Sequence, residues 1–543
     1  MMTTSSWYQS TTMSSRHIPM SDSTDILPTS SGGTGGGGGL DDSQQSIQQQ
    51  QQQQLDINMD CLNIVEMTEE LKKKLDQLKA GLESNNMLVI LDAITNVRSM
   101  TMLGGLNNSS NGMSSSNSNS NTNGNSNGNG VGNGGGNNGL SHSKKISLEI
   151  IDTIVQTGLI SRLVALLSLD SPALLFEVIW TLTSITRASV DYATIVVNSG
   201  AIPPLIRIMV NSEDDVMEQS LFALGTIAES SPMFRDALLH QTEVLSLLVG
   251  LLTQQPTKRL GVLRCVMWTL STLCGGKPYP SFERLRPLLP LLYNILASAK
   301  DQQILGEALM CLSYMTRGNN QEISIVATSF DFVPRILDCM NVSTDKCILT
   351  PAIRTFGNIV AGDHNVTMLA MSYNPLPTIY RLLQNNDASI RKEMSWIVSN
   401  IVVGGPELIQ RVVDANIMPI IVNSLQYDDY AIKKECLWII SNLIEYGNED
   451  QIRYLVELGC IQSIGQMMCQ DLELVVLATF NNIITRCPVD SKRYIEMIKE
   501  CGALVYFENR VKSDEGQLSI SSKEVLMNFF NATIFASSRD TDS

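Results

Sequence analysis

The chain has 543 residues, 43% of them hydrophobic, and 38 Lys and Arg stand against 54 Asp and Glu for a formal charge of −16. That acidic balance argues against a nucleic-acid backbone as the main ligand and suits a basic partner. Eleven Cys and four His include no CxxC pair and no cluster with zinc spacing, so neither metal nor cofactor is expected.

Residues 1–60 lack hydrophobic periodicity and hold a Gly run, Gly35 to Gly39, and a Gln tract, Gln48 to Gln54. Such composition buries too little apolar surface to order itself, so this segment is expected to be disordered. The polar, Ser/Thr-rich start reads as no signal peptide. No apolar run reaches the roughly 18 residues of a membrane helix, and the chain is expected to be soluble and intracellular. Residues 61–103 read as a helical lead-in and the start of a first repeat, with Lys72, Lys73 and Lys74 on a solvated face and Ile90, Leu91, Ile94 and Val97 at helical spacing. Residues 104–145 are almost wholly Asn, Ser and Gly and read as a surface-loop insertion.

From 146 to about 530 the chain reads as nearly uninterrupted helix, with a polar tail at 531–543. Each unit repeats one plan. A short helix meets a Gly or Pro break, as in Asn198-Ser-Gly-Ala-Ile-Pro-Pro; a second helix follows, then a polar loop, then a longer third helix. Cys265, Cys311, Cys436 and Cys469 sit in these apolar stretches and read as reduced core thiols.

The third helices share a marker at a step of 42 to 46 residues, with Phe222 to Trp268 at 46 and Met310 to Arg354 at 44. Arg354, Trp396, Trp438 and Phe480 are spaced by 42 (396 − 354, 438 − 396, 480 − 438), and Trp180 to Phe222 and Trp268 to Met310 are also 42 apart. A period in this range signifies an armadillo or HEAT array, in which one helix per repeat lines a continuous concave surface. The expected fold is therefore all-α, a right-handed superhelical solenoid of about nine or ten repeats. Asn358, Asn400 and Asn442 follow their markers by four residues, on the same helix face. An aromatic face can hold a Lys stem and attract its ammonium by about 0.5–2 kcal/mol. An Asn beside it can hold the N–H and C=O of an extended peptide without reading its side chains. Glu393 and Glu435, three residues before Trp396 and Trp438, would then select Lys and Arg. Rungs about 10 Å apart match every third residue of an extended chain at about 3.3 Å per residue. Because a buried Asn is costly in a helical core, the row is expected to face solvent.

Several stretches carry a resemblance. Trp268-Thr-Leu-Ser-Thr-Leu-Cys-Gly-Gly-Lys-Pro, Thr350-Pro-Ala-Ile-Arg-Thr-Phe-Gly-Asn-Ile-Val, Arg391-Lys-Glu-Met-Ser-Trp-Ile-Val-Ser-Asn-Ile, Val412-Val-Asp-Ala-Asn-Ile-Met-Pro and Glu449-Asp-Gln-Ile-Arg-Tyr-Leu-Val-Glu-Leu-Gly-Cys-Ile resemble importin-alpha, the armadillo adaptor for nuclear localisation signals, over residues 146 to 505. The resemblance implies cargo proteins with Lys/Arg-rich signals, a location in cytoplasm and nucleus, and two groove sites. The C-terminal site would comprise Arg354, Asn358, Glu393, Trp396, Asn400, Glu435, Trp438 and Asn442. The N-terminal site would comprise Trp180 with Ser184, Phe222 with Thr226, and Trp268 with Thr272. There all three Asn are absent, one Trp has become Phe, and Ser230 replaces an acid. Tyr314 lies between the sites and matches the family, whereas Met310 replaces a Trp and Arg317 replaces an acid. Importin-beta is implied as a partner, yet residues 1–60 hold a single basic residue, Arg16, where the family carries a basic docking segment. The expected function is nuclear import through the C-terminal site. The alternative is a divergent armadillo scaffold. With no Walker loop, nucleophile elbow or catalytic carboxylate pair, no catalytic residue and no enzyme activity are expected.

Overall fold

A computed structural model describes residues 73–103, 151–241, 243–253, 259–468 and 472–507. The segments expected at 1–60, 104–145 and 531–543, and Cys469, lie outside the described residues. Among the described residues there is helix and no strand. They fall into two compact units, the first ending at Pro280 and the second beginning at Ser281.

In the first unit the long third helices are α1 (Met87–Leu103), α2 (Pro172–Ala188), α3 (Asp214–Ser230) and α4 (Leu260–Cys274). In the second they are α5 (Gln302–Met315), α6 (Lys346–Val360), α7 (Ala388–Val402), α8 (Tyr430–Tyr446) and α9 (Glu473–Arg486). Within each unit every third helix packs against the next, and two shorter helices precede each from α2 to α9.

Local chemistry sets these boundaries. The joint between the first and second short helices needs a left-handed residue. Gly158 and Gly200 supply it at φ 73 and 87, and Asn374 and Asn416 at φ 52 and 55. The step is again 42 in each pair (200 − 158, 416 − 374). At Gly200 the chain turns by 78° from Val190–Asn198 into Ile202–Asn211. Pro in the first turn then starts several second helices, where its missing N–H has no partner to lose. Asp301, Asp345 and Asp387 cap α5, α6 and α7 by accepting backbone N–H bonds from Ile304, Cys347 and Ser389 at 3.0, 2.9 and 2.9 Å.

The core runs along each stack. In α8, Ile432, Leu437, Ile439, Ile440 and Leu443 are buried, and this helix packs against the second helix Met418–Tyr427, α7 and α9. Each such side chain contributes about 1.5–3 kcal/mol on burial. Polar stitches recur in register. Thr269 donates to the Leu221 carbonyl at 3.2 Å and Thr355 to the Leu309 carbonyl at 3.3 Å. Arg207, Arg381 and Arg411 each donate to a carbonyl one repeat back.

One marker does not belong to the surface row. Phe480 is 1% exposed, inside the core of α9. The 42-residue step reaches the right helix there but the wrong face, and Asn481 and Asn482 are the half-buried residues instead. The thiols of Cys265, Cys436 and Cys460 are buried, and loss of water pushes each up to about 12, consistent with inert core residues. Among the described residues no single helix is long and apolar enough to cross a membrane, and no His/Cys/Asp/Glu cluster could hold a metal ion.

Candidate peptide-binding site

The residues expected to form the C-terminal site come together on α6, α7 and α8, all within the second unit. Trp396 and Trp438 are half-buried, each offering part of a ring at the surface. The position of Trp396 depends on Gly357 in α6. A Cβ there would stand 2.2 Å from the Trp396 Cζ3 atom, so the ring lies directly on the α6 backbone. Gly225 plays the same part for Trp268, with a Cβ 2.3 Å from its Cζ3. Both glycines follow a marker by three residues, a signal present in the sequence and passed over there.

Of the two acids, Glu393 is buried and Glu435 half-buried. Arg354 Nε lies 3.5 Å from Glu393 Oε1, with side chains 31% and 11% exposed. The other oxygen, Oε2, is buried without a hydrogen-bond partner. Burial pushes the Glu393 carboxyl above its usual 4.5, and Arg354 opposes that shift. Glu435 is raised as well, first by burial, with Lys392 and Lys434 opposing and the Glu393 charge adding to the rise. These two carboxylates are poorly solvated and close enough to repel. A cation arriving between them would relieve both conditions.

The Asn row is where expectation and structure part. Asn400 is 9% exposed and Asn442 4%, and Asn358 is half-buried, so the amides do not stand open to solvent. Two of them reach back across a repeat boundary. Asn358 Nδ2 donates to the Ser313 carbonyl and to Thr316 Oγ1, both at 3.1 Å, and Asn442 Nδ2 donates to the Ser399 carbonyl at 3.2 Å. Asn400 differs: its Nδ2 is buried with no partner. It borders a small recess shared with Val360, Ala361, Gly362, His364, Thr367 and Gly404. A helical face this crowded lets a short amide tuck into the neighbouring helix end, which removes the cost of burial without solvent.

The N-terminal set assembles on α2, α3 and α4 in the first unit. Its hydroxyls are spent on their own helices. Ser184 donates to the Trp180 carbonyl at 3.0 Å, Thr226 to the Phe222 carbonyl at 2.8 Å, and Thr272 to the Thr269 carbonyl at 2.8 Å. Each therefore keeps only acceptor capacity for a ligand. The Phe222 and Trp268 rings lie 5.2 Å apart, tilted by 32°. Sequence reasoning missed the arginines that stand over this set's rings: Arg98 over Trp180 and Arg187 over Phe222. In the second unit Arg317 stands over the half-buried Tyr314 ring at 5.2 Å.

The armadillo/beta-catenin-like repeat family matches residues 405–445. Importin subunit alpha-1b of Oryza sativa subsp. japonica is 37% identical over 392 residues, 70% of this chain and 72% of the relative. Importin subunit alpha-3 of Arabidopsis thaliana is 37% identical over 393 residues, 70% and 73%. A solved engineered protein superposes with a TM-score of 0.66 at 18% identity, covering 84% of this chain and 98% of that one, a likeness of fold alone. With repeats of the armadillo plan and this degree of identity over most of both chains, the protein belongs to the importin-alpha family.

Proposed function

We propose that this chain is a nuclear import adaptor that binds Lys- and Arg-rich signal peptides chiefly on the α6–α8 face. The observation that carries this reading is the juxtaposition there of two half-buried rings, Trp396 and Trp438, with two desolvated carboxylates, Glu393 and Glu435. A Lys stem can lie on a ring while its ammonium neutralises a carboxylate that lacks water. The Asn400 donor is buried and unpartnered at the edge of a small recess, and a peptide carbonyl that enters the recess would satisfy it. Cargo proteins with basic signals are the proposed partners, importin-beta is the proposed receptor, and shuttling between cytoplasm and nucleus is the proposed location.

The test is a titration of the full chain with a fluorescent Lys-rich peptide. Each lost ring removes about 0.5–2 kcal/mol of cation–π attraction, so Trp396→Ala with Trp438→Ala is expected to weaken binding by about fivefold to a thousandfold. Trp180→Ala is expected to change it by less than about twofold, because its ring already faces Arg98. Equal losses from the two changes contradict the reading.

A further inference from the structure

In the first unit two of the three rings already carry a cation from the chain itself. Arg98 of α1 stands over Trp180, 5.6 Å from the ring centroid, and its Nε pairs with Glu177 at 2.5 Å. Arg187 of α2 stands over Phe222 of α3 at 5.9 Å. Arg187 lies seven residues beyond Trp180, two turns along the same helix face. It is exposed, and among the described residues it forms no ion pair.

The acids that could attract a peptide cation to this face are largely engaged. Glu177 is held by Arg98, and Glu218 and Asp215 by Arg259 at 3.0 and 2.6 Å. Ser230 carries no charge and donates its proton to the Ile227 carbonyl at 2.8 Å. Glu229 stands in α3 at the place that Arg187 holds in α2, 42 residues on (229 − 187), exposed and unpaired with Arg187. Phe222 thus has the Trp268 ring at 5.2 Å and a guanidinium at 5.9 Å. A Lys arriving there must displace Arg187 or sit beside a charge of its own sign.

We propose that Arg187 is a selectivity residue that keeps Lys-rich peptides off the α2–α4 face, confining basic cargo to α6–α8. This rests on the reading that α6–α8 binds such peptides. The geometry at Phe222 supports it independently of the Asn lost from the first unit.

The test uses the full chain and a fluorescein-labelled octalysine peptide. In the Trp396→Ala/Trp438→Ala background, Arg187→Gln is expected to restore binding by about tenfold, the combined effect of a freed ring and a removed like charge. Arg187→Lys keeps the charge and is expected to restore nothing. Adding Phe222→Ala to Arg187→Gln is expected to abolish the gain, which locates it. With Trp396 and Trp438 intact, calorimetry is expected to move from one peptide per chain to two on Arg187→Gln, and this arm decides the matter if the double Trp variant misfolds by circular dichroism. Unchanged affinity and stoichiometry on Arg187→Gln overturn the proposal. Failure of the unmodified chain to bind octalysine overturns the α6–α8 reading instead, and a gain on Arg187→Gln still stands as the result for this one.

Discussion

The three Asn residues look alike in sequence and do different work in space. Asn358 and Asn442 donate across a repeat boundary, whereas the Asn400 amide is buried and unpaired. A satisfied buried donor contributes about 1 kcal/mol, whereas an orphaned one costs about 1–3 kcal/mol of lost hydration until a ligand accepts from it. Asn442→Ala is therefore expected to lower stability by about 1 kcal/mol, read as a shift in the denaturation midpoint. Asn400→Ala, which removes that cost, is expected to leave the midpoint unchanged or raise it and to weaken peptide binding by about tenfold. A midpoint that falls equally in both variants would show that Asn400 is a structural stitch after all. The spacing of four residues puts each Asn on the face of its own helix that carries the marker. It could not say that the neighbouring helix end lies within reach of the amide, because that depends on the distance between helices rather than on sequence interval.

At the scale of the helix, the ring-on-glycine seat sets how far Trp396 projects. Gly357 lets the α7 ring lie on the α6 backbone, and any Cβ there meets it at 2.2 Å. Gly357→Ala is expected to cost about 1–3 kcal/mol of stability by overpacking, and to weaken peptide binding beyond the loss of folded protein because the ring must lift or rotate. Thermal denaturation paired with peptide titration separates the two effects. Unchanged binding in fully folded Gly357→Ala protein would mean that ring position is immaterial. Element boundaries were largely legible, since Gly and Pro joints and Asp caps recur with the 42-residue period and act locally. Phe480 shows where that legibility ends: the count was right and the helix was right, but a small slip in register turned a surface marker into core.

For the whole chain, the repeat plan made the fold class readable, because a stack of like units repeats its hydrophobic face and its punctuation together. The electrostatic arrangement was not readable. Arg98, Arg187 and Arg317 each stand over an aromatic ring, and in two of the three cases the partner lies on the next helix, so helical spacing within a segment gave no sign of them. What distinguishes the α6–α8 face is that the Trp396 and Trp438 rings carry no such internal cation among the described residues, while Glu393 and Glu435 lie desolvated beside them. The most direct measurement is site mapping with a Lys-rich peptide that carries a photo-crosslinker, irradiated with the full chain and digested for mass spectrometry. Crosslinks concentrated in α7 and α8, around Trp396 and Trp438, are the expected result; crosslinks concentrated in α2 and α3, around Trp180 and Phe222, would contradict it.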